Sequence, residues 1–511
     1  MADTEPAGGG ATAEKDLTVL ERILEKGRMI RNPQQEPHAR NILAGFVDQV
    51  LAEATTMSGD VLQAINDRIK ELDELITAQL REVMHHPDFQ KLESSWRGLH
   101  YLVMNTETST RLKIRLLNAS KGELLKDMEK ATEFDQSSLF KMVYEDEYGT
   151  FGGHPYSCLI GDFDIARHPQ DFAFLRKIAE VAAAAHAPFI AAAGPSLFDL
   201  DGYTDLMKPR DLAKTFESLE LIEWRAFRES EDSRYVTLCL PRFLLRLPYG
   251  KMTIPVEGME FEEFEKPLYA PEELEDNPKL ADRNPPAGHE KFLWGNPAWL
   301  LGQRITNAFA LYGWTAAIRG VEGGGKVEGL ATYTFYTDEG DLALQCPTEI
   351  AITDRREKEI SDQGFIALCH CKGTNYAAFF GGQTANKPKV YNLDTANANA
   401  RLSAMLPYLL NASRFAHYLK VMMRDKIGSF MTASNVSDYL NTWIKDFVLL
   451  DDNAQQNVKA QYPLREARVD VTEVPGKPGV YNATVFLRPH FQLEELTASI
   501  RLVAELPPPA A

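Results

Sequence analysis

Two apolar runs separated by a helical pattern constrain the fold most. Tyr156 to Ile165 and Pro188 to Ala193 have the apolar content of buried strands. Between them Phe172, Leu175 and Ile178 recur at helical spacing and lead into a run of alanines. The order strand, helix, strand predicts an α/β domain.

From about Asp88 to Gly382 the chain has the same mixed pattern, and the residues before it are predicted to be helical after a short tail. Two apolar helices are predicted, at 61–83 and Trp299–Ile318. Further strands are predicted at Arg111–Leu117, Tyr235–Leu240, Thr332–Tyr336 and Phe365–Cys371. Between Phe264 and Pro297 the chain becomes rich in proline and charge and loses its periodicity. This stretch is predicted to be a long loop.

The C-terminal region has a different pattern. Leu402 to Ile427 and Val436 to Val448 have helical spacing. Two alternating runs follow, Ala467 to Val474 and Tyr481 to Leu487, and a Pro-Gly-Lys-Pro-Gly stretch joins them. Alternation on both sides of a glycine-containing turn predicts a β-hairpin. A small α+β domain that ends in a hairpin accounts for this region.

Together these patterns predict a multidomain α/β and α+β chain, and 511 residues are too many for one ordinary core. The expected parts are a disordered tail over 1–16, a helix and helical arm over 17–57, and core domains over 58–385. The loop at about 264–297 belongs to that core. A C-terminal α+β domain over 386–511 follows.

Composition and charge narrow the class of protein. Apolar residues make up 44% and charged residues 25% of the chain, as in soluble globular proteins. A formal net charge of −18 argues against general nucleic-acid binding, which needs a basic face. We find no apolar run long enough for a membrane span and no secretory signal. Five cysteines without a disulfide spacing favour a reducing, cytoplasmic location.

Two motifs could carry chemistry, but both fit a structural role better. Gly320–Lys326 has the glycine and lysine spacing of a phosphate-binding loop, yet Val327 stands where that loop needs Ser or Thr for magnesium. The alternative is a flexible glycine turn. Cys369-His370-Cys371 lies on a predicted strand, so the histidine points away from the two thiols and the three cannot share one metal ion. We therefore expect no catalytic residues, no metal and no cofactor.

A short helix is predicted near the N-terminus, at Leu17–Ile30. Its apolar side chains, Leu17, Leu20, Ile23 and Leu24, form one narrow stripe on a charged helix. Such a helix is marginal alone and needs a surface to pack on. Spacing leaves two interpretations open, docking on its own domain or recognition by a partner.

Four longer motifs resemble one known family. They are DFQKLESSWRGLHYLV at 88–103, RFLLRLPYG at 242–250, LWGNPAW at 293–299 and RGVEGGGKVEG at 319–329. The sequence is similar to the large sheath protein of type VI secretion systems, the TssC/VipB family. The resemblance covers nearly all of the chain after the first sixteen residues.

The resemblance implies a fold like phage tail sheaths, with a C-terminal part similar to a baseplate domain. It implies a structural protein that pairs with a small sheath subunit (TssB/VipA) and polymerises with further copies of itself around the inner tube protein Hcp. Contraction on a baseplate would drive that tube outward, and the ATPase ClpV would then dismantle the sheath. A phage-type tail sheath protein, or an NTPase that uses Gly320–Lys326, is the alternative.

The resemblance also assigns roles to residues at the two ends. Leu20, Ile23 and Leu24 match the helix that ClpV grips in the family. The hairpin matches the strands that pair with neighbouring small subunits. The residues expected to take part in that pairing are Val469, Val471, Ala483, Val485 and Leu487.

Overall fold

This computed structural model describes residues 61–264, 289–336, 341–429, 431–477 and 479–492, together with Pro37, Arg40, Asn41 and Ala44. The chain divides into two compact units, Met1–Ala78 and Gln79–Ala511. The predicted tail and ClpV-binding residues Leu20, Ile23 and Leu24 lie outside the described residues, as does most of the predicted 264–297 loop.

Helices and strands are mixed along the first two thirds of the chain. The α-helices of five residues or more are α1 (Val61–Met84), α2 (Pro87–Met104), α3 (Lys121–Lys130), α4 (Pro169–Ala185), α5 (Leu212–Phe216), α6 (Ile222–Glu229), α7 (Ala298–Tyr312), α8 (Asp354–Asp362), α9 (Asp394–Ser403), α10 (Leu406–Asp425), α11 (Ala433–Lys445) and α12 (Gln456–Gln461). The strands are β1 (Leu159–Ile165), β2 (Phe189–Ala193), β3 (Val236–Leu240), β4 (Phe243–Leu244), β5 (Trp294–Gly295), β6 (Lys326–Val327), β7 (Thr334–Tyr336), β8 (Leu342–Leu344), β9 (Phe365–His370), β10 (Ala377–Phe379), β11 (Leu464–Glu473) and β12 (Tyr481–Pro489).

A six-stranded mixed sheet forms the centre of the larger unit. Its strand order is β1-β2-β3-β9-β10-β6. The first four strands are parallel, with Leu159 opposite Phe189 between β1 and β2. β10 runs antiparallel to both β9 and β6. The strand–helix–strand run of the sequence is therefore a parallel β1-α4-β2 unit.

The two faces of this sheet pack on separate apolar clusters because successive side chains of a strand point to opposite faces. On β9, Phe365 and Ala367 join the cluster on the α4 side, whereas Ile366 and Leu368 join the cluster that contains residues of α7. Coverage of both faces explains why these strands are continuously apolar rather than alternating.

A third apolar cluster lies in the C-terminal region. Trp314, which follows α7, stacks on Phe415 of α10 with ring centroids 4.4 Å apart. Val436, Leu440 and Ile444 of α11 complete the buried set together with two residues of β11. The C-terminal helices and the hairpin therefore share one core.

Three predicted elements differ from the structure. Arg111–Leu117 is not a strand: its alternation half-buries Leu112 and Ile114, but no described strand pairs with it. The α7 helix ends at Tyr312 because Gly313 adopts a left-handed conformation, φ 73°. The predicted 402–427 helix is two helices, because Met405 is extended and pairs with Gln383 before α10 begins.

Candidate functional site: the edges of the C-terminal hairpin

The predicted hairpin is confirmed as a two-stranded antiparallel sheet of β11 and β12. Val469 stands opposite Val485, and Glu473 opposite Tyr481. The turn contains Gly476 and Gly479 at φ 78° and 80°, a backbone conformation that side chains with a Cβ rarely adopt. The two glycines therefore allow the tight turn that the hairpin requires.

One face of the hairpin packs on α11. Val469 is fully buried there, and Val471, Val485 and Leu487 pack against the same cluster while half-buried. Ala483 is exposed. Four of the five predicted pairing residues therefore point their side chains into this chain's own core.

The outer edge of β11 is covered by a side chain that imitates a neighbouring strand. Asn441 of α11 accepts a hydrogen bond from the Val469 N–H at 2.9 Å and donates one to the Val469 carbonyl at 2.7 Å. Ser437 Oγ donates to the same carbonyl at 3.1 Å. Sequence reasoning missed both residues, although two polar residues four apart beside the apolar stripe of α11 were the available signal.

The outer edge of β12 has no such cover. In an antiparallel ladder, two directly opposite residues either both bond to each other or both point their N–H and carbonyl groups outward. Since the Val469 groups point away from β12, the groups of its partner Val485 point away from β11. Every second residue of a strand has the same orientation, so the backbone groups of Ala483 and Leu487 also point outward. Within the described residues, no hydrogen bond reaches these outward backbone groups of β12. Among the residues that the structure describes, β12 therefore has no partner on its outer edge, and such an edge can accept a further strand.

The comparisons with known proteins identify the family. Residues 66–386 match the EvpB/VC_A0108 tail sheath N-terminal domain, named VipB, and residues 395–506 match the tail sheath gpW/gp25-like domain of the same proteins. The chain is 45% identical over 507 residues to the type VI secretion system sheath protein TssC1 of Pseudomonas aeruginosa PAO1, covering 99% of this chain and 98% of that protein. The chain belongs to the TssC/VipB family. It is a type VI secretion sheath subunit.

Solved structures of contractile injection systems are similar at low levels. The baseplate of the anti-feeding prophage matches with a TM-score of 0.35 at 10% identity, covering 65% of this chain and 66% of that one. The contracted PVC sheath complex matches with a TM-score of 0.32 at 8% identity, covering 64% and 68%.

Of the helices that the structure describes, none is both long and apolar enough to cross a membrane.

The glycine loop of this sheath protein is not built to hold phosphate. Gly325 N–H donates to the Gly320 carbonyl, and the chain then enters β6 instead of a helix. A Cβ on Gly324 would lie 2.1 Å from the Ala317 carbonyl oxygen, so the glycines serve close packing of the loop on itself. Lys326 forms an ion pair with Glu328. The loop terminates a turn and starts an edge strand.

The side chains of the Cys369-His370-Cys371 motif have the surroundings of residues with a structural role. Cys369 is buried on β9, and burial raises the pKa of its thiol. His370 is bound instead through Nε2 to the Thr374 carbonyl oxygen, at 2.8 Å. No group of three or more His, Cys, Asp or Glu side chains within the described ranges is arranged to hold a metal ion.

Proposed function

We propose that this chain is the structural, non-enzymatic large subunit of a cytoplasmic contractile sheath. It pairs with a small sheath subunit (TssB/VipA), and the pairs polymerise into a helical tube around the inner tube protein Hcp. Contraction against a baseplate propels the inner tube, and ClpV then disassembles the sheath. The family membership and the 45% identity to TssC1 support this proposal.

The unpaired edge of β12 is the observation that carries the assembly part of the proposal. A strand from a neighbouring subunit that pairs there forms backbone hydrogen bonds, whose geometry depends little on side-chain identity. Such a joint holds subunits together while the domains on either side change orientation. Val485, Ala483 and Leu487 supply the outward N–H and carbonyl groups.

An exposed apolar stripe on α2 supports pairing with a small subunit. Phe89, Leu92, Trp96 and Val103 recur at a spacing of three, four and seven residues and are 38%, 55%, 60% and 41% exposed. This is the pattern of a helix that packs along a partner helix. We infer that the small subunit binds along this face of α2.

Recognition by ClpV is proposed for the N-terminal helix. The apolar stripe of Leu20, Ile23 and Leu24 on a charged helix suits insertion into a groove of a partner.

The strand-pairing proposal is tested by Ala483→Pro. Proline removes the outward N–H of β12 but leaves the β11–β12 ladder intact, because the Ala483 N–H does not point to β11. With the small subunit co-expressed, we expect soluble heterodimers and no tubes by negative-stain microscopy. Ala483→Val is the matched control, since it keeps the N–H and an exposed apolar side chain, and it should form tubes.

Other outcomes separate the alternatives. Normal tubes from Ala483→Pro would refute strand pairing at this edge. Tubes from the wild-type chain without a small subunit would indicate a phage-type sheath. Nucleotide hydrolysis by the purified chain that Lys326→Ala abolishes would indicate an NTPase.

Pull-down experiments test whether α2 binds the small subunit and whether the N-terminal helix binds ClpV. Leu92→Glu with Trp96→Glu should abolish co-purification of the small subunit, whereas the adjacent exposed Lys91→Glu should not. Leu20→Asp with Leu24→Asp should leave the tubes intact but abolish binding to ClpV. Retention of either partner by its double variant contradicts the corresponding assignment.

A further inference from the structure

The segment of residues 113–119, between α2 and α3, leaves its whole backbone unpaired. Across the part of the chain that the structure describes, no hydrogen bond reaches an N–H or a carbonyl group of these residues. The segment belongs to none of the described helices and strands. We call it the open segment. Backbone polar groups in folded proteins are paired with protein groups or with water, so this run is free to bond to another chain.

The side chains that lead into the open segment nevertheless have the period of an extended strand. Arg111, Lys113 and Arg115 are exposed, whereas Leu112 and Ile114 between them are half-buried. A period of two places alternate side chains on opposite faces. One face of the strand pattern therefore rests on the surface of its own chain, and the lateral backbone groups remain accessible.

The open segment is held in place before any partner binds. Ahead of it, Ser109 and Leu112 exchange two backbone hydrogen bonds. Within it, the Arg115 guanidinium forms an ion pair with the Glu147 carboxylate. Behind it, the Ser120 side chain caps the start of α3. A segment that is already ordered loses less conformational entropy when a second strand pairs with it.

The second half of the open segment exposes apolar side chains on both faces. Leu116 and Leu117 are 65% and 50% exposed. Because adjacent residues of an extended chain point to opposite faces, packing on one side cannot cover both leucines. Exposed apolar side chains beside unpaired backbone groups favour association with another strand. The segment therefore has the backbone and side-chain features of a strand that is covered in a complex.

The position of the open segment indicates which partner covers it. Only residues 105–112 separate it from α2, and they span at most about 26 Å when extended. Val103 and Met104, at the end of α2, are 41% and 69% exposed. A partner that lies along α2 can therefore reach the open segment with the same chain.

We propose that an extended strand of the small sheath subunit pairs with the open segment through backbone hydrogen bonds, an assignment that rests on the pairing with a small subunit proposed above. The incoming strand places apolar residues against Leu116 and Leu117. It also carries an acidic residue opposite Lys113, which is exposed and has no ion pair among the described residues. The open segment is then a strand only in the heterodimer.

Hydrogen exchange in the co-purified heterodimer tests whether the backbone is paired. Relative to their intrinsic rates, amides of residues 113–119 should exchange at least tenfold more slowly than those of residues 256–259. The latter form a largely exposed loop whose amides also lack hydrogen bonds within the described ranges, so they are the matched control. Equal exchange in the two segments would overturn the proposal.

Proline substitution separates backbone pairing from side-chain contact. Leu116→Pro and Leu117→Pro each remove one N–H, on opposite edges of the segment, whereas Leu116→Ala and Leu117→Ala keep the N–H and shorten the same side chains. At least one proline variant should retain at least tenfold less small subunit in pull-down than its alanine counterpart. The fold should survive, because these residues have no backbone hydrogen bond in their own chain to lose.

The wild-type chain separates the failure of this proposal from the failure of the proposed function. If the wild type does not bind the small subunit, both are wrong. If the wild type binds and each proline variant retains as much small subunit as its alanine counterpart, the pairing of subunits stands and strand pairing at the open segment is overturned.

Discussion

Substitution of Asn441 by alanine should open the edge of β11 that this side chain covers. The variant loses the hydrogen bonds from the Val469 N–H and to the Val469 carbonyl, at 2.9 and 2.7 Å. The carbonyl keeps its bond from Ser437, so the main loss is the N–H. A buried donor left without a partner costs about 1–3 kcal/mol.

That cost can be measured locally by hydrogen exchange. Since about 1.4 kcal/mol corresponds to a factor of ten, protection of the Val469 amide should fall roughly 5- to 150-fold in Asn441→Ala. Ser437→Ala is the matched control, because it removes the redundant bond and keeps both Asn441 bonds. It should change protection by about twofold to fivefold. If the Val469 amide exchanges at the same rate in Asn441→Ala and in the wild type, the Asn441 side chain does not protect this edge of β11.

Two further predictions concern buried charge. Arg246→Met should lower the free energy of unfolding by about 3–5 kcal/mol in urea titrations, because Glu263, bound at 2.7 Å, is left as a buried carboxylate without its arginine. Glu93 also loses Arg246 but keeps Arg97. His417 donates a hydrogen bond to the Ala185 carbonyl, and burial lowers the pKa of its imidazole to about 4. Because this histidine takes up a proton at higher pH in the unfolded chain than in the folded one, the free energy of unfolding should fall by up to roughly 3 kcal/mol from pH 6.5 to 4. His417→Gln should flatten this dependence on pH.

Each of these has a specific control. Arg97 also binds Glu93 at 2.7 Å but is 39% exposed, so Arg97→Met should cost less than about 1 kcal/mol. Equal losses for Arg97→Met and Arg246→Met would show that burial does not set the cost. An unchanged slope in His417→Gln would assign the acid sensitivity to other groups.

Local pattern was sufficient for the elements with a strong apolar signal. β2 is buried along its length and β9 up to His370, and both are predicted as strands because each is a short continuous apolar run. Arg111–Leu117 has equally good alternation but no partner strand. A strand requires hydrogen bonds from elsewhere in the chain, and a local sequence pattern contains no information on that partner.

The hairpin is confirmed as an element, whereas the role of its five predicted residues in pairing stays a prediction. The five hairpin residues lie on β11 and β12, yet the side chains of four of them, Val469 among them, belong to the chain's own core. Their partner contacts remain a prediction that concerns backbone groups. Asn441 covers an edge 28 residues away in sequence, a relation that depends on how α11 docks on β11. Periodicity alone could not supply it.

The asymmetry of the hairpin edges limits how many connections one molecule can make there. Asn441 caps Val469, and the segment before α12 pairs with Leu464, so β11 is held at two points along its free side. Under the strand pairing proposed above, an incoming strand would find unbonded backbone groups along β12, whereas on β11 it would have to displace the Asn441 and Leu464 contacts. The hairpin would then be extended from its β12 side, and the contacts on β11 would oppose growth of an open-ended sheet in the other direction.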